Sequence, residues 1–346
     1  MKSITYNFFF IICLLILPFF TKAQHIKVAP VKNKQQVTVS VDGKLFTVFN
    51  FPDSLEKPFL YPVYAPNGEV ITRGFPLATR AGDPVDHPHH IGLWLNYENV
   101  NGLDFWNNSY AIPADKKNRY GRIKTTRIVN SKSGREGQLT YEANWLDSSG
   151  DSLLKELTTF IFLQENNAII IDRITTLIAL KEVSMPDIKD GFLGLRVAHE
   201  LELPSKEDRE YADANGIVTK VNAATDTLAS GNYLTGAGKE GNAAWGTRAN
   251  WCLLYGKKGS DSISIAIIDH PKNVGYPTYW HARGYGLFAA NPLGQKVFSN
   301  GKETLNFALK KEERTRFRYR IVINAAGTRL TNDNIDKMAA AFAKLY

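Results

Sequence analysis

Cysteine is nearly missing from this chain: two occur in 346 residues, Cys13 and Cys252, and Cys13 lies inside an N-terminal apolar run. With that run removed a single thiol remains. An intramolecular disulfide is then excluded, and an ordinary hydrophobic core must hold the fold. Beyond that run no stretch approaches the ~20 apolar residues that carry a helix across a bilayer. Charge of one sign is not concentrated either: 42 Lys and Arg stand against 34 Asp and Glu, a net charge of +8, with the basic residues scattered. The apparent exception, Arg314, Arg316, Arg318 and Arg320, alternates with Thr315, Phe317, Tyr319 and Ile321. That is the pattern of the wet face of a half-buried strand, and it excludes the basic patch expected of a nucleic-acid binder. Internal repeats and low-complexity linkers are also missing, which removes solenoid architectures.

What is present begins with an export signal. Lys2 is followed by an apolar stretch from Phe8 to Phe20 and then Thr21-Lys22-Ala23. A charged start, an apolar centre and a small residue at the cut read as a signal peptide over 1–23, with Gln24 as the new N terminus. The expected product is periplasmic or secreted and free of the membrane after cleavage. Cys13 sits in mid-run rather than at the cut, so it is not read as a lipidation site.

The remainder has a period of two. Ile263, Ile265 and Ile267 alternate with small or polar residues, as do Val37, Val39 and Val41, and Ala168–Leu180 reads as a longer, more buried strand. Turn sequences such as Pro66-Asn67-Gly68 and Ser299-Asn300-Gly301 separate such runs. Many short strands with these breaks predict an all-β fold, a large antiparallel sandwich over 24–346. The polar, Gly/Ala-rich stretch 207–241 reads as a lid or excursion. The one expected helix is Asn332–Leu345, capped by Thr331 or Asn332, with Met338, Ala341, Phe342 and Leu345 on one face.

Histidine placement directs attention to function. Of seven histidines, His25 lies at the mature N terminus, and the rest fall in three segments: His87, His89 and His90; His199; His270 and His281. In the first, a strand starting near His89 puts Ile91, Leu93 and Leu95 on one face and His90, Trp94 and Asn96 on the other. With Asp83 nearby, His87 and His89 could ligate a divalent metal, the one cofactor for which the sequence offers ligands. They could equally supply acid–base chemistry, or staple a loop. In the second segment, Leu195 to Leu203 reads as one strand. His199 then falls on the apolar face as a satisfied core residue, and Arg196, Glu200 and Glu202 share the other. In the third, Tyr279, His281, Arg283 and Tyr285 share a face. His90, Glu200 and His281 are the catalytic candidates. Arg80, Trp94, Asn96, Trp106, Arg196, Tyr279, Arg283 and Tyr285 are the substrate-binding ones. Flat rings beside planar polar groups suit a saccharide, which has an apolar face and hydroxyl edges.

Three stretches carry a family resemblance: Asp83 with His87-Pro88-His89-His90-Ile91-Gly92-Leu93-Trp94; Asn101-Gly102-Leu103-Asp104-Phe105-Trp106; and Asp269-His270-Pro271 with Trp280-His281-Ala282-Arg283 and Asn291-Pro292-Leu293-Gly294. Over roughly residues 45–325 the chain resembles the bacterial PmoA-like family of unknown function, which bears a methane oxygenase label. The resemblance implies a sandwich like the galactose-mutarotase supersandwich, common in bacteria that degrade polysaccharides. It also implies that His90, Glu200, His281 and Arg283 sit in its concave cleft. Three functions follow as expectations: an enzyme acting on a saccharide by hydrolysis, elimination or epimerisation; a glycan-binding module; and a metal-dependent oxygenase.

Overall fold

The period-two segments pair into two eight-stranded antiparallel sheets in the computed structural model. It describes Met1, residues 25–78, residue 80, residues 83–212 and residues 218–346. The signal-peptide reading of 1–23 falls outside them, Met1 apart. Among the described residues no helix is long and apolar enough to cross a membrane.

The first sheet runs Ile26–Pro30, Gln36–Val41, Lys44–Asn50, Phe59–Val63, Leu93–Tyr97, Gly191–Arg196, Leu287–Asn291, Tyr279–Arg283. The second runs Asn232–Thr235, Trp251–Lys258, Asp261–Asp269, Arg314–Ala326, Ala168–Ala179, Ser152–Glu165, Gly137–Leu146, Arg122–Lys132. Val37 and Val39 of the first and Phe160, Ile265 and Ile321 of the second point into the core between them. This is the expected large antiparallel β-sandwich with a C-terminal helix.

The helix spans Asn332–Phe342, and Thr331 caps it by accepting from the Asn334 N–H. Its buried face is Ile335 and Phe342 with Met338 and Ala339, packed on Ile268 and Val322 of the second sheet. Leu345 lies beyond the helix and is exposed. This cover corrects the arginine ladder. Arg314 and Arg316 are exposed, but Arg318 and Arg320 are buried. Arg320 grips Asp172 through two 2.7 Å hydrogen bonds beneath the Phe342 ring.

Two further expectations change. Residues 195–203 are not one strand: the sheet strand ends at Arg196, and a single 3-10 turn, His199–Leu201, follows. That turn breaks the alternation: of the two acids expected on the Arg196 face, Glu202 comes within 3.5 Å of Arg196 and Glu200 turns to Lys258. The stretch 207–241 divides as well. Arg209–Ala212 and Val218–Val221 form a small sheet with Asp83–Pro84, whereas Asn232–Thr235 is an edge strand of the second sheet.

Candidate functional site

The first sheet turns its other face away from the sandwich core. Cross-strand register aligns Trp94, Gly194, Ala289 and His281 in one row and Arg196, Leu287 and Arg283 in the next. Trp94 lies flat over Gly194, where a Cβ would stand 2.6 Å from its ring. The strand that carries Trp94 begins at Leu93, later than expected. Gly92 (φ +58°) turns the chain there, with a Cβ position only 2.2 Å from the Leu60 carbonyl oxygen. The His motif is therefore a loop folded over this face rather than the start of a strand.

Three of its rings are parallel. His87 stacks on His90 at 4.8 Å and on Tyr285 at 4.9 Å. His90 in turn lies 5.4 Å from Trp94, with Trp106 edge-on at 5.8 Å. Lys57, buried, ties the loop from below: its Nζ donates to the His89 carbonyl at 2.7 Å and faces the Trp94 ring at 5.2 Å. Burial, opposed by Glu56 and Asp104, pushes the Lys57 amine down to about 7.

Asp86 is the hub. Its Oδ1 accepts from Arg196 Nη2 at 2.7 Å and from Arg73 Nη1 at 2.8 Å, and its Oδ2 accepts from His87 Nδ1. Burial would raise the Asp86 carboxyl, but Arg196, the His87 hydrogen bond and Arg73 outweigh it and hold the group well below the usual carboxylate range. Arg73 also donates to the carbonyls of Asp86 and His87 at 2.7 and 2.9 Å, fixing the loop. Arg196 donates to His90 Nδ1 at 3.3 Å. A guanidinium can only donate, so His90 Nδ1 accepts and the ring is neutral; burial and then His89 and Arg196 lower its basicity further.

Beside this hub opens a cleft of about 910 Å³. Asp86, Arg196, Arg283, Tyr285 and Trp245 line it together with the segment 203–208.

The expected residues separate on this geometry. His87, His90, Arg196, Arg283 and Tyr285 come together. Glu200 does not: its carboxylate pairs with Lys258, because the turn at His199–Leu201 rotates it off the cleft side. His281 shares the sheet face but is sealed into it. Phe298 covers its ring at 5.9 Å, Asp190 Oδ1 stands 3.7 Å from its Nδ1, and burial, then Lys189 and Arg283, push it down to about 3. Arg80 is engaged by Asp83 in a two-pronged pair at 3.0 and 3.1 Å. Asn96 accepts from the Trp94 indole at 3.0 Å, and Trp94 and Trp106 are fully buried, so none of these can meet a ligand. Tyr279 packs on Phe298 at 5.5 Å, with Arg248 over its ring.

The metal candidates do not form a ligand set. Asp83 is buried, and Oδ2 already accepts from Gly74 N–H at 2.6 Å as well as from Arg80. His87 Nδ1 is committed to Asp86. Among the described residues no group of three or more His, Cys, Asp or Glu side chains is arranged to hold a metal ion. His199 is the satisfied core histidine expected, bonded to Glu202 and Asp226. The sequence reading missed Asp86, Arg73 and Trp245. Asp86 was discoverable as the acid directly preceding the H-x-H-H motif; Arg73 and Trp245 carried no local signal.

The model of DUF6807, described as a family of unknown function, matches residues 36–340; that description does not include the PmoA-like label. No curated protein matches the sequence. Among solved structures the chain is similar to the GH36 α-galactosidase AgaB from Geobacillus stearothermophilus, at 10% identity over 87% of this chain and 41% of that chain, TM-score 0.39. It thus spans about two fifths of that enzyme. It is also similar to a galactose mutarotase related enzyme from Lactobacillus acidophilus, at 10% identity over 88% of this chain and 98% of that chain, TM-score 0.25. At such values neither likeness bears on substrate or reaction.

Proposed function

Because the chain belongs to DUF6807, a family of unknown function, its chemistry must be read from the cleft, and we propose that it is a carbohydrate-active enzyme in which His87, oriented by Asp86, exchanges protons with a bound saccharide. The observation that carries this reading is a single carboxylate that accepts from two buried arginines and from a half-exposed histidine at the edge of a cleft. Two guanidiniums keep Asp86 anionic. It therefore holds His87 with the proton on Nδ1 and the lone pair on Nε2, and it stabilises the imidazolium once Nε2 takes a proton. Nε2 can then return that proton, as hydrolysis, elimination or epimerisation each require. Tyr285 and Trp245 place aromatic rings in the cleft lining, apolar surface of the kind a sugar ring packs against. A glycan-binding module has no need of an imidazole oriented in this way.

The same reading has the protein exported, with 1–23 removed and 24–346 acting as one sandwich domain in the periplasm or medium. Sequencing the N terminus of the recovered protein tests it: a start at Gln24 supports export, and Met1 retained in a membrane fraction overturns it. For the chemistry, purified protein is incubated with a panel of oligosaccharides and their oxidised forms, and products are read by mass spectrometry. Turnover that survives His87→Ala unchanged overturns the assignment. Binding without turnover across the panel favours the module.

A further inference from the structure

Four arginines around the cleft and the neighbouring loops are committed to carboxylates: Arg73 and Arg196 to Asp86, Arg80 to Asp83, and Arg248 to Glu303. Arg283 differs. It is exposed, lines the cleft, and makes no ion pair or side-chain hydrogen bond among the described residues. Its guanidinium instead lies 5.7 Å from the Trp245 ring and 5.7 Å from the Tyr285 ring. The two aromatics restrict the guanidinium while its N–H donors, which lie in its plane, stay free. A planar cation fixed in this way matches the two oxygens of a carboxylate, which it can take with two parallel hydrogen bonds.

Tyr285 links this free cation to the proposed chemistry. One neighbour of its ring is Arg283; another is His87, stacked at 4.9 Å. A sugar whose carboxylate meets Arg283 would lay its ring along Tyr285 and bring the next bond toward His87 and Asp86. The segment that also lines the cleft carries Lys206, Glu207 and Asp208, and beyond it Glu210 pairs with Lys220 at 3.3 Å. Resting on the reading of the cleft as a saccharide site, we infer that its substrate is acidic, a saccharide with a uronic acid residue whose carboxylate is bound by Arg283.

The test uses the mature full-length protein and pairs of probes with one skeleton: oligogalacturonides, oligoglucuronides and alginate oligomers, each as free acid and as methyl ester, with a sulfated oligosaccharide and the neutral oligomers alongside. Affinity is read by calorimetry. The free acid should bind about ten- to a hundredfold tighter than its ester, the size of a charge-assisted bidentate contact. The preference should shrink with added salt. Arg283→Gln should bring the acid down to the affinity of the ester, and Arg283→Lys should restore part of the preference. Acid and ester binding alike, a preference for the neutral or sulfated probes, or an Arg283→Gln variant that loses both forms equally overturns the inference and leaves the saccharide reading standing. No binding by any probe overturns both.

Discussion

Two arginine–carboxylate clusters in this protein use the same chemistry in opposite settings. Between the sheets, Glu156 accepts from Arg173 at 3.0 Å, from the Tyr141 and Thr158 hydroxyls at 2.7 Å each, and from the Trp145 indole at 2.8 Å. That cluster is saturated and sealed. At the cleft, Asp86 is likewise held by two fully buried arginines, yet its side chain keeps 38% exposure and its remaining partner is a histidine. A closed ion pair supports the fold and nothing else, because both carboxylate oxygens are engaged and the group is buried away from any ligand. An open one fixes a titratable group where a ligand can reach it.

The largest effect that would sharpen this contrast is on turnover. His87→Ala should lower it by about 10²–10⁴-fold, the usual share of a general acid–base, and should cost about 1 kcal/mol of stability for the lost hydrogen bond and ring contacts. Unfolding in urea beside the activity assay checks both halves. Next comes the closed cluster: Glu156→Ala strands a buried guanidinium and should cost about 3–5 kcal/mol of stability. Turnover per folded molecule should stay unchanged. If it falls instead, the two clusters are not independent.

A smaller effect follows from pH. The folded carboxyl of Asp86 is depressed, so its contribution to stability is complete above the unfolded value of about 3.9 and is lost as the pH falls through the lower folded value. With the side chain 38% exposed, solvent screening keeps this below about 1 kcal/mol. Acid unfolding of Asp86→Asn should therefore show a slightly shallower loss of stability below about pH 4 than the parent. The smallest effect belongs to Glu200→Gln. It breaks the pair with Lys258 and should cost under about 1 kcal/mol, with turnover unaltered. A large loss of turnover there would return Glu200 to the site.

Much of the cleft was legible before the fold was known, and its errors share one cause. Arg196 and Arg283 were found because strand alternation separates faces, and the alternation held across Gly191–Arg196 and Tyr279–Arg283; His90 and Tyr285 reach the same face from loops next to strands. Glu200 was misplaced where alternation stopped, at a one-turn helix with no distinctive sequence mark. His281 was placed on the right face but judged open. The short helix Gln295–Phe298, which brings Phe298 over it, is not a feature that strand periodicity reveals. Trp94 and Trp106 look like sugar platforms in sequence, yet they form the buried bed on which His90 rests.

The sequence alone determined the sandwich, the C-terminal helix with its cap at Thr331 or Asn332, and the gathering of histidines into three segments. Each of these follows from local sterics and short-range spacing, which a chain carries whether or not it is folded. Tertiary structure decided which histidine is open and which acid orients it. Asp86 takes one arginine from 13 residues away and another from 110, which loops and a strand end bring together only in the finished fold. Burial and pairing of that range depend on what packs against what, and so belong to the fold as a whole.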